Sequence, residues 1–134
     1  MDNCLFCKII KGEIPSYKIY EDEFTFAFLD IADDFVGHTL VLPKTHTKNM
    51  LESDSEVINA VFNTVKKISK HYVDYCGYTG VNVICNNNES AEQSIAHFHV
   101  HIIPRKENDG LSVFPKNDKQ NANLTGIQQQ LKLN

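Results

Sequence analysis

No stretch of the chain approaches the ~18 consecutive apolar residues of a membrane-spanning helix. The N-terminus also lacks a basic segment followed by an apolar one. These absences predict a cytoplasmic protein with no membrane partner, in which Asn88-Glu89-Ser90 and Asn123-Leu124-Thr125 are chance matches to the glycosylation pattern. Positive charge is in deficit: the net charge is -4 and the pI about 5.8, so the overall field repels nucleic-acid backbones. No G-x-x-x-x-G-K-[ST] or G-x-G-x-x-G stretch is present, which excludes a P-loop or a dinucleotide-binding turn. Any phosphate must be held by a local site of another kind.

What remains is an ordinary globular composition, with 42% hydrophobic and 22% charged residues in 134. A domain of that length buries roughly two-thirds of the surface of its unfolded chain, so a core forms without disulfides. Cys4-Leu5-Phe6-Cys7-Lys8-Ile9-Ile10 reads as a short helical turn ended by Gly12 and Pro15. Strands are predicted at 17–20 and 24–29 around an acidic hairpin turn, at 38–42 stopped by Pro43, at 81–85, and at 97–103 ended by Pro104. Between them, Val57, Val61, Val65, Ile68 and Tyr72 line one face of a helix over 54–76. Ser53 and Glu56 have the spacing of a capping box for it, and Gly77 fits its far end. With no βαβ alternation, the pattern predicts an α+β fold: an antiparallel sheet of about five strands packed by one long helix and a short N-terminal one. One domain over 1–110 is expected, followed by a polar tail over 111–134. In that tail Leu124, Ile127 and Leu131 suggest a terminal helix able to dock on the body.

Three of the six histidines fall within five positions, in Ala96-His97-Phe98-His99-Val100-His101-Ile102-Ile103. The strand period of two puts His97, His99 and His101 on one face and sends Phe98, Val100 and Ile102 into the core. A single metal ion held by all three rings is disfavoured. At about 3.3 Å per residue the outer two Cα atoms lie some 13 Å apart, whereas a ring and its metal bond reach about 6 Å. Divided labour along the strand fits better. A neutral imidazole is a competent nucleophile toward phosphorus, and the middle one, His99, has a helper on each side. His101 is placed to assist at the phosphate or to protonate a leaving group.

His97-Phe98-His99-Val100-His101-Ile102-Ile103 resembles the His-φ-His-φ-His-φ-φ signature of the histidine triad family, where φ is apolar. The resemblance extends from residue 4 to about 105 through Phe28-Leu29-Asp30-Ile31, Gly37-His38-Thr39-Leu40-Val41-Leu42-Pro43-Lys44 with His46, and Asn86 with Gln93-Ser94. It implies a homodimer and hydrolysis of a nucleoside 5′-phosphoramidate or related phosphoanhydride, releasing an AMP-like or GMP-like monophosphate through a nucleotidyl-His99 intermediate. His101 would assist at the phosphate, and His38 would support the rings by hydrogen bonding. Asp30 would bind the ribose, Phe6, Phe28 and Ile31 would enclose a purine base, and Asn86, Gln93 and Ser94 would lie on the phosphate side. The family's transferase branch usually carries Gln where this chain has His101, which favours a hydrolase. No tryptophan is present, so any contact that relatives make through a C-terminal tryptophan is missing.

Cys4 and Cys7 form a Cys-x-x-Cys pair, which in a reducing compartment suggests metal or redox chemistry. A closed zinc site needs two more ligands, and His46 and His97 are the candidates; some bacterial-type triad proteins carry such a structural Zn²⁺ site. The alternative is that both thiols are small buried hydrophobes, as Cys76 and Cys85 are expected to be. Other readings of function stay open at this stage: a dinucleoside polyphosphate hydrolase, a nucleotide-binding regulatory or scaffold protein, or a metal-binding module.

Overall fold

The computed structural model describes residues 3–114, 117 and 123–133. In chain order the elements are α1 (Leu5–Ile10), β1 (Lys18–Glu21), β2 (Thr25–Leu29), β3 (Thr39–Pro43), α2 (Ser55–Tyr75), β4 (Gly80–Ile84), β5 (Val100–Arg105) and α3 (Leu124–Leu131). The five strands form one antiparallel sheet in the order β1-β2-β3-β5-β4, with α2 against one face and α1 against the other. The predicted α+β class and the long helix are as the periodicity implies.

Alternation along the strands divides the core in two. Ala27, Val41, Phe98, Val100 and Ile102 meet Val61, Val65, Ile68 and Tyr72 of α2. Phe26, Phe28, Leu40 and Leu42 point the other way and pack with Phe6 and Ile9 of α1. The middle strands β2 and β3 are therefore covered on both sides, which is why their sequences are nearly continuous apolar runs. Burying each such aliphatic or aromatic side chain stabilises the fold by roughly 1.5–3 kcal/mol.

Local chemistry sets the ends of the elements. Asp22 closes the β1–β2 hairpin, its Oδ1 accepting from the backbone N–H of Phe24 and Thr25 at 2.9 and 2.8 Å. α2 ends as expected, with Gly77 at φ +82° just beyond it. Its start differs from the capping-box reading. Asp54 is the N-cap residue and makes no side-chain cap bond, and the Ser53 hydroxyl donates to the Asn49 carbonyl at 2.7 Å.

Two further expectations are corrected. The last strand begins at Val100, not His97, and runs through Pro104 to Arg105. Pro104 is tolerated because β3 pairs with β5 only from Val100 to Ile102, so no ladder partner on that side needs its missing N–H. Cys76 is exposed beyond the end of α2, while Cys85 is half-buried. The terminal helix α3 forms, yet none of its residues is buried.

Two buried hydroxyl pairs tie the sheet to α2: Thr25 with Thr64 at 2.8 Å and Thr39 with Tyr72 at 2.7 Å. Thr39 Oγ1 donates to the Gly37 carbonyl, so it accepts from the Tyr72 hydroxyl. Tyr72→Phe is expected to cost about 1 kcal/mol with no change in the urea dependence of unfolding. Unchanged stability would remove this pair from the account.

Candidate functional site

The histidine segment crosses from a turn into β5 directly beneath α1. All three rings lie on the α1 side, because Phe98, Val100 and Ile102 take the α2 side. Contrary to a solvated strand face, His97 and His99 are 0% and 4% exposed. Phe6 of α1 covers them, its ring meeting that of His99 edge-on at 5.0 Å and that of His97 at 6.0 Å. The expected division of the three rings is visible as two separate environments.

His97 faces the N-terminus. Its Nε2–H donates to the Pro43 carbonyl at 2.9 Å, which leaves Nδ1 as a lone pair. That lone pair looks at Cys4 Sγ (3.5 Å), Cys7 Sγ (3.6 Å) and His46 Nδ1 (3.2 Å), while Cys7 Sγ lies 3.3 Å from His46 Nδ1. A tetrahedron with Zn–N near 2.0–2.1 Å and Zn–S near 2.3 Å has N–N edges of about 3.3 Å and N–S edges of about 3.6 Å. The four donors therefore sit close to the corners that a divalent ion would require, and they can hold one. Burial pushes His97 down to about 4, so it stays a neutral ligand, and burial beside Cys4 raises the Cys7 thiol, whose ionisation then needs a nearby cation. The carbonyl behind His97 is the outer partner that fixes a ligand ring.

His99 and His101 face a cavity of about 290 Å³ lined also by Phe6, Phe28, Asp30, Ile31 and Ser94. His99 Nδ1–H donates to the His97 carbonyl at 2.7 Å, so its Nε2 carries the lone pair. Burial lowers the His99 pKa and keeps the ring neutral. The His101 ring centroid is 5.0 Å away, and His101 Nδ1 is 2.8 Å from His38 Nε2. His38 in turn touches Asp34 Oδ1 at 3.0 Å through Nδ1 and stands 3.7 Å from Asp30 Oδ2. Gly37, at φ +79°, places His38 there; a Cβ on it would meet Pro104 Cγ at 3.1 Å.

The other sequence candidates are placed unequally. Asp30 directly follows β2 at the cavity wall, where its Oδ1 accepts from Ala32 N–H at 2.8 Å and leaves Oδ2 toward the histidines. Phe6 and Phe28 pack edge-on at 5.6 Å as an apolar wall, and Ile31 stands 87% exposed at the rim. Ser94 is exposed on the lining. Asn86 is half-buried just past β4, two residues beyond Ile84, the partner of His101. The Gln93 amide is occupied by its own loop and by the connection after β3: it donates to the Lys48 and Ile95 carbonyls and accepts from Asn88 N–H and Asn49 Nδ2. Sequence reasoning missed Asp34. In the run Asp33-Asp34 it reads as a turn acid, and the only signal for it is its spacing of four from His38.

Burial among His99 and His38 pushes His101 down to about 4. Below about pH 6.5 the unfolded chain protonates this ring and the folded one does not, so stability present above pH 6.5 is lost as the pH falls toward 4. Denaturation midpoints measured across that window should decline, and His101→Gln should flatten part of the slope. An identical slope in the variant would contradict a neutral buried His101.

Comparison with known proteins agrees with this geometry. The family model described as the HIT domain matches residues 11–108. Over 104 residues the chain is 51% identical to a Bacillus subtilis protein called protein hit, covering 78% of this chain and 72% of that one. It is 43% identical over 112 residues to the adenosine 5′-monophosphoramidase hnt1 of Schizosaccharomyces pombe, covering 83% and 81%. A crystal structure from Streptococcus mutans UA159 superposes with a TM-score of 0.85 at 40% identity, covering 97% of this chain and 82% of that one. A zinc-bound histidine triad protein of Mycobacterium smegmatis gives 0.80 at 34% identity, covering 87% and 85%. With paired imidazoles over an apolar cavity and a match spanning most of its length, the chain belongs to the HIT domain family.

Proposed function

We propose that the protein hydrolyses a nucleoside 5′-phosphoramidate, or a related phosphoanhydride, in two steps through a nucleotidyl-His99 intermediate. The observation that carries this reading is the fixed tautomer of His99. Its Nδ1–H is held by the His97 carbonyl, so a neutral Nε2 lone pair is available at the cavity without prior deprotonation. The name of the S. pombe relative supports the substrate class.

In this reading the α-phosphorus sits over His99 Nε2. Asp30 takes the ribose hydroxyls through Oδ2, and Phe6, Phe28 and Ile31 enclose a purine base of AMP or GMP type. His101 protonates the departing group, helped by an anionic phosphate that raises its proton affinity, and His38 supports it. Ser94 and Asn86 stand on the phosphate side, and Gln93 shapes the loop that presents them. Water then cleaves the phosphorus–nitrogen bond and frees the nucleoside monophosphate.

Zn²⁺ is the ion best suited to Cys4, Cys7, His46 and His97. When bound it supplies structure, joining α1 to the histidine segment at a distance from the open cavity. β4 lies at an edge of the sheet with Val83 43% exposed, which supports pairing with a second copy as a homodimer. Among the described residues no helix is long and apolar enough to cross a membrane.

The test is steady-state turnover of adenosine 5′-phosphoramidate beside a dinucleoside polyphosphate. Preferential release of AMP from the first supports the reading. Turnover of the second alone would move the protein to the polyphosphate class.

A further inference from the structure

We propose that Asp34 is a positioning residue of the reaction, whose carboxylate fixes the proton of His38 on Nδ1 and thereby sets which nitrogen of His101 faces the leaving group. Its part in turnover rests on the hydrolase reading above, whereas its effect on the two rings does not.

Asp34 lies in the connection between β2 and β3, and its Oδ1 accepts from the Phe35 N–H at 2.7 Å and from His38 Nδ1 at 3.0 Å. Although partial burial works against the charge, those hydrogen bonds hold the carboxyl below its ordinary range, so it acts only as an acceptor. The proton between the two residues therefore belongs to His38 Nδ1. His38 Nε2, at 2.8 Å from His101 Nδ1, can then share only one further proton with it. His101 Nε2 is left as the nitrogen that gains or loses a proton at the cavity.

The chemistry needs such an arrangement. In the acid form a single positive charge is spread over His38 and His101, with protons on His38 Nδ1, between the rings and on His101 Nε2. The groups that face this cation are Asp34 at 3.0 Å and Asp30 at 3.7 Å from His38, and the neutral ring of His99 at 5.0 Å from that of His101. As His99 Nε2 bonds to phosphorus, the phosphorus–nitrogen bond to the leaving amine breaks, and the amine takes the proton from His101 Nε2. The pair is then neutral, with His101 Nδ1–H donating to His38. In the second step water bonds to phosphorus, its proton passes to His101 Nε2, and the bond to His99 breaks. The cation is restored, and Asp34 has compensated it without touching substrate.

A purely architectural role fits the residue poorly. Its side chain is 42% exposed, and its contacts are confined to its own loop and His38. Phe35, next in sequence, packs edge-on against the other side of the His38 ring at 6.1 Å and helps to hold it in register.

The experiment compares wild type, Asp34→Asn and Asp34→Ala on two AMP derivatives, the phosphoramidate and the 4-nitrophenyl ester, whose phenolate leaves without a proton. Expected is a fall in kcat/KM, which reports formation of the shared intermediate and not its hydrolysis, of about 10- to 100-fold on the phosphoramidate and less than about threefold on the ester. Equal losses on both substrates, or no loss on either, would overturn the proposal. Nitrogen-15 NMR of histidine-labelled protein is read in parallel, without substrate. Wild type should show protonated Nδ1 on His38 and on His101, and Asp34→Ala should lose the His38 signature. Unchanged ring signals would also overturn it. Should wild type turn over neither substrate, the hydrolase reading fails, and the NMR comparison alone decides the role of Asp34.

Discussion

His99→Ala is expected to lower kcat on adenosine 5′-phosphoramidate by about three orders of magnitude or more, with AMP still bound. The size follows from what the substitution removes. The lone pair of His99 Nε2 is fixed by the hydrogen bond that Nδ1–H makes to the His97 carbonyl on the opposite side of the ring. Alanine leaves water as the only attacking group, and water has neither the nucleophilicity of imidazole nor a fixed position over phosphorus. Binding should persist because the apolar wall of Phe6 and Phe28 and the carboxylate of Asp30 are unaltered. His99→Ala with near-normal turnover, measured by the rate of AMP release, would refute nucleophilic catalysis at this residue.

Removing the metal is expected to have the second-largest effect, and on stability before activity. Chelation should lower the melting temperature by more than about 10 °C, as expected for loss of a ligand bound a thousandfold or more above its dissociation constant. The loss should be so large because the four donors come from the start of α1, the connection after β3 and the histidine segment, three pieces of chain that the ion would tie together. Without the ion, Cys7 and His46 are also left facing His97 with mismatched donors in a buried space. Cys7→Ser should reproduce the shift and release the bound zinc, measured by elemental analysis. At a temperature where the fold persists, the chelated protein should keep most of its turnover. A protein purified without zinc, whose melting curve ignores chelators, would return Cys4 and Cys7 to the role of small core residues.

Much of this was legible in the chain. The alternation of histidine with Phe98, Val100 and Ile102 placed three rings on one face because the period of a strand is two. Geometry disfavoured a single ion across them, and His97 and the His99–His101 pair lie in two separate environments. The spacing of Val61, Val65, Ile68 and Tyr72 specified α2 because one helix face must meet the sheet.

What escaped was set by tertiary context. Ser53 has the spacing of a capping box, but α2 starts at Ser55, so Asp54 and not Ser53 takes the N-cap position. Pro104 reads as a strand stop, yet no ladder bond is lost where β3 pairs with β5 only from Val100 to Ile102. Cys76 looks apolar by its neighbours in sequence, whereas the rotation of the last turn of α2 turns it to solvent. The burial of His97 and His99 depends on Phe6, some 90 residues earlier, and could not be read from the strand. Asp34 is a polar loop residue whose significance exists only once β2 and β3 bring it to His38.

The central claim is the covalent intermediate on His99, and intact-protein mass spectrometry of a reaction with adenosine 5′-phosphoramidate, quenched in alkali to preserve a phosphorus–nitrogen bond, tests it most directly. The account predicts a mass increase of one adenylyl group, mapped by peptide fragmentation to His99 and absent from His99→Ala. AMP release with no adduct under any quench time, or an adduct that persists in His99→Ala, would contradict it.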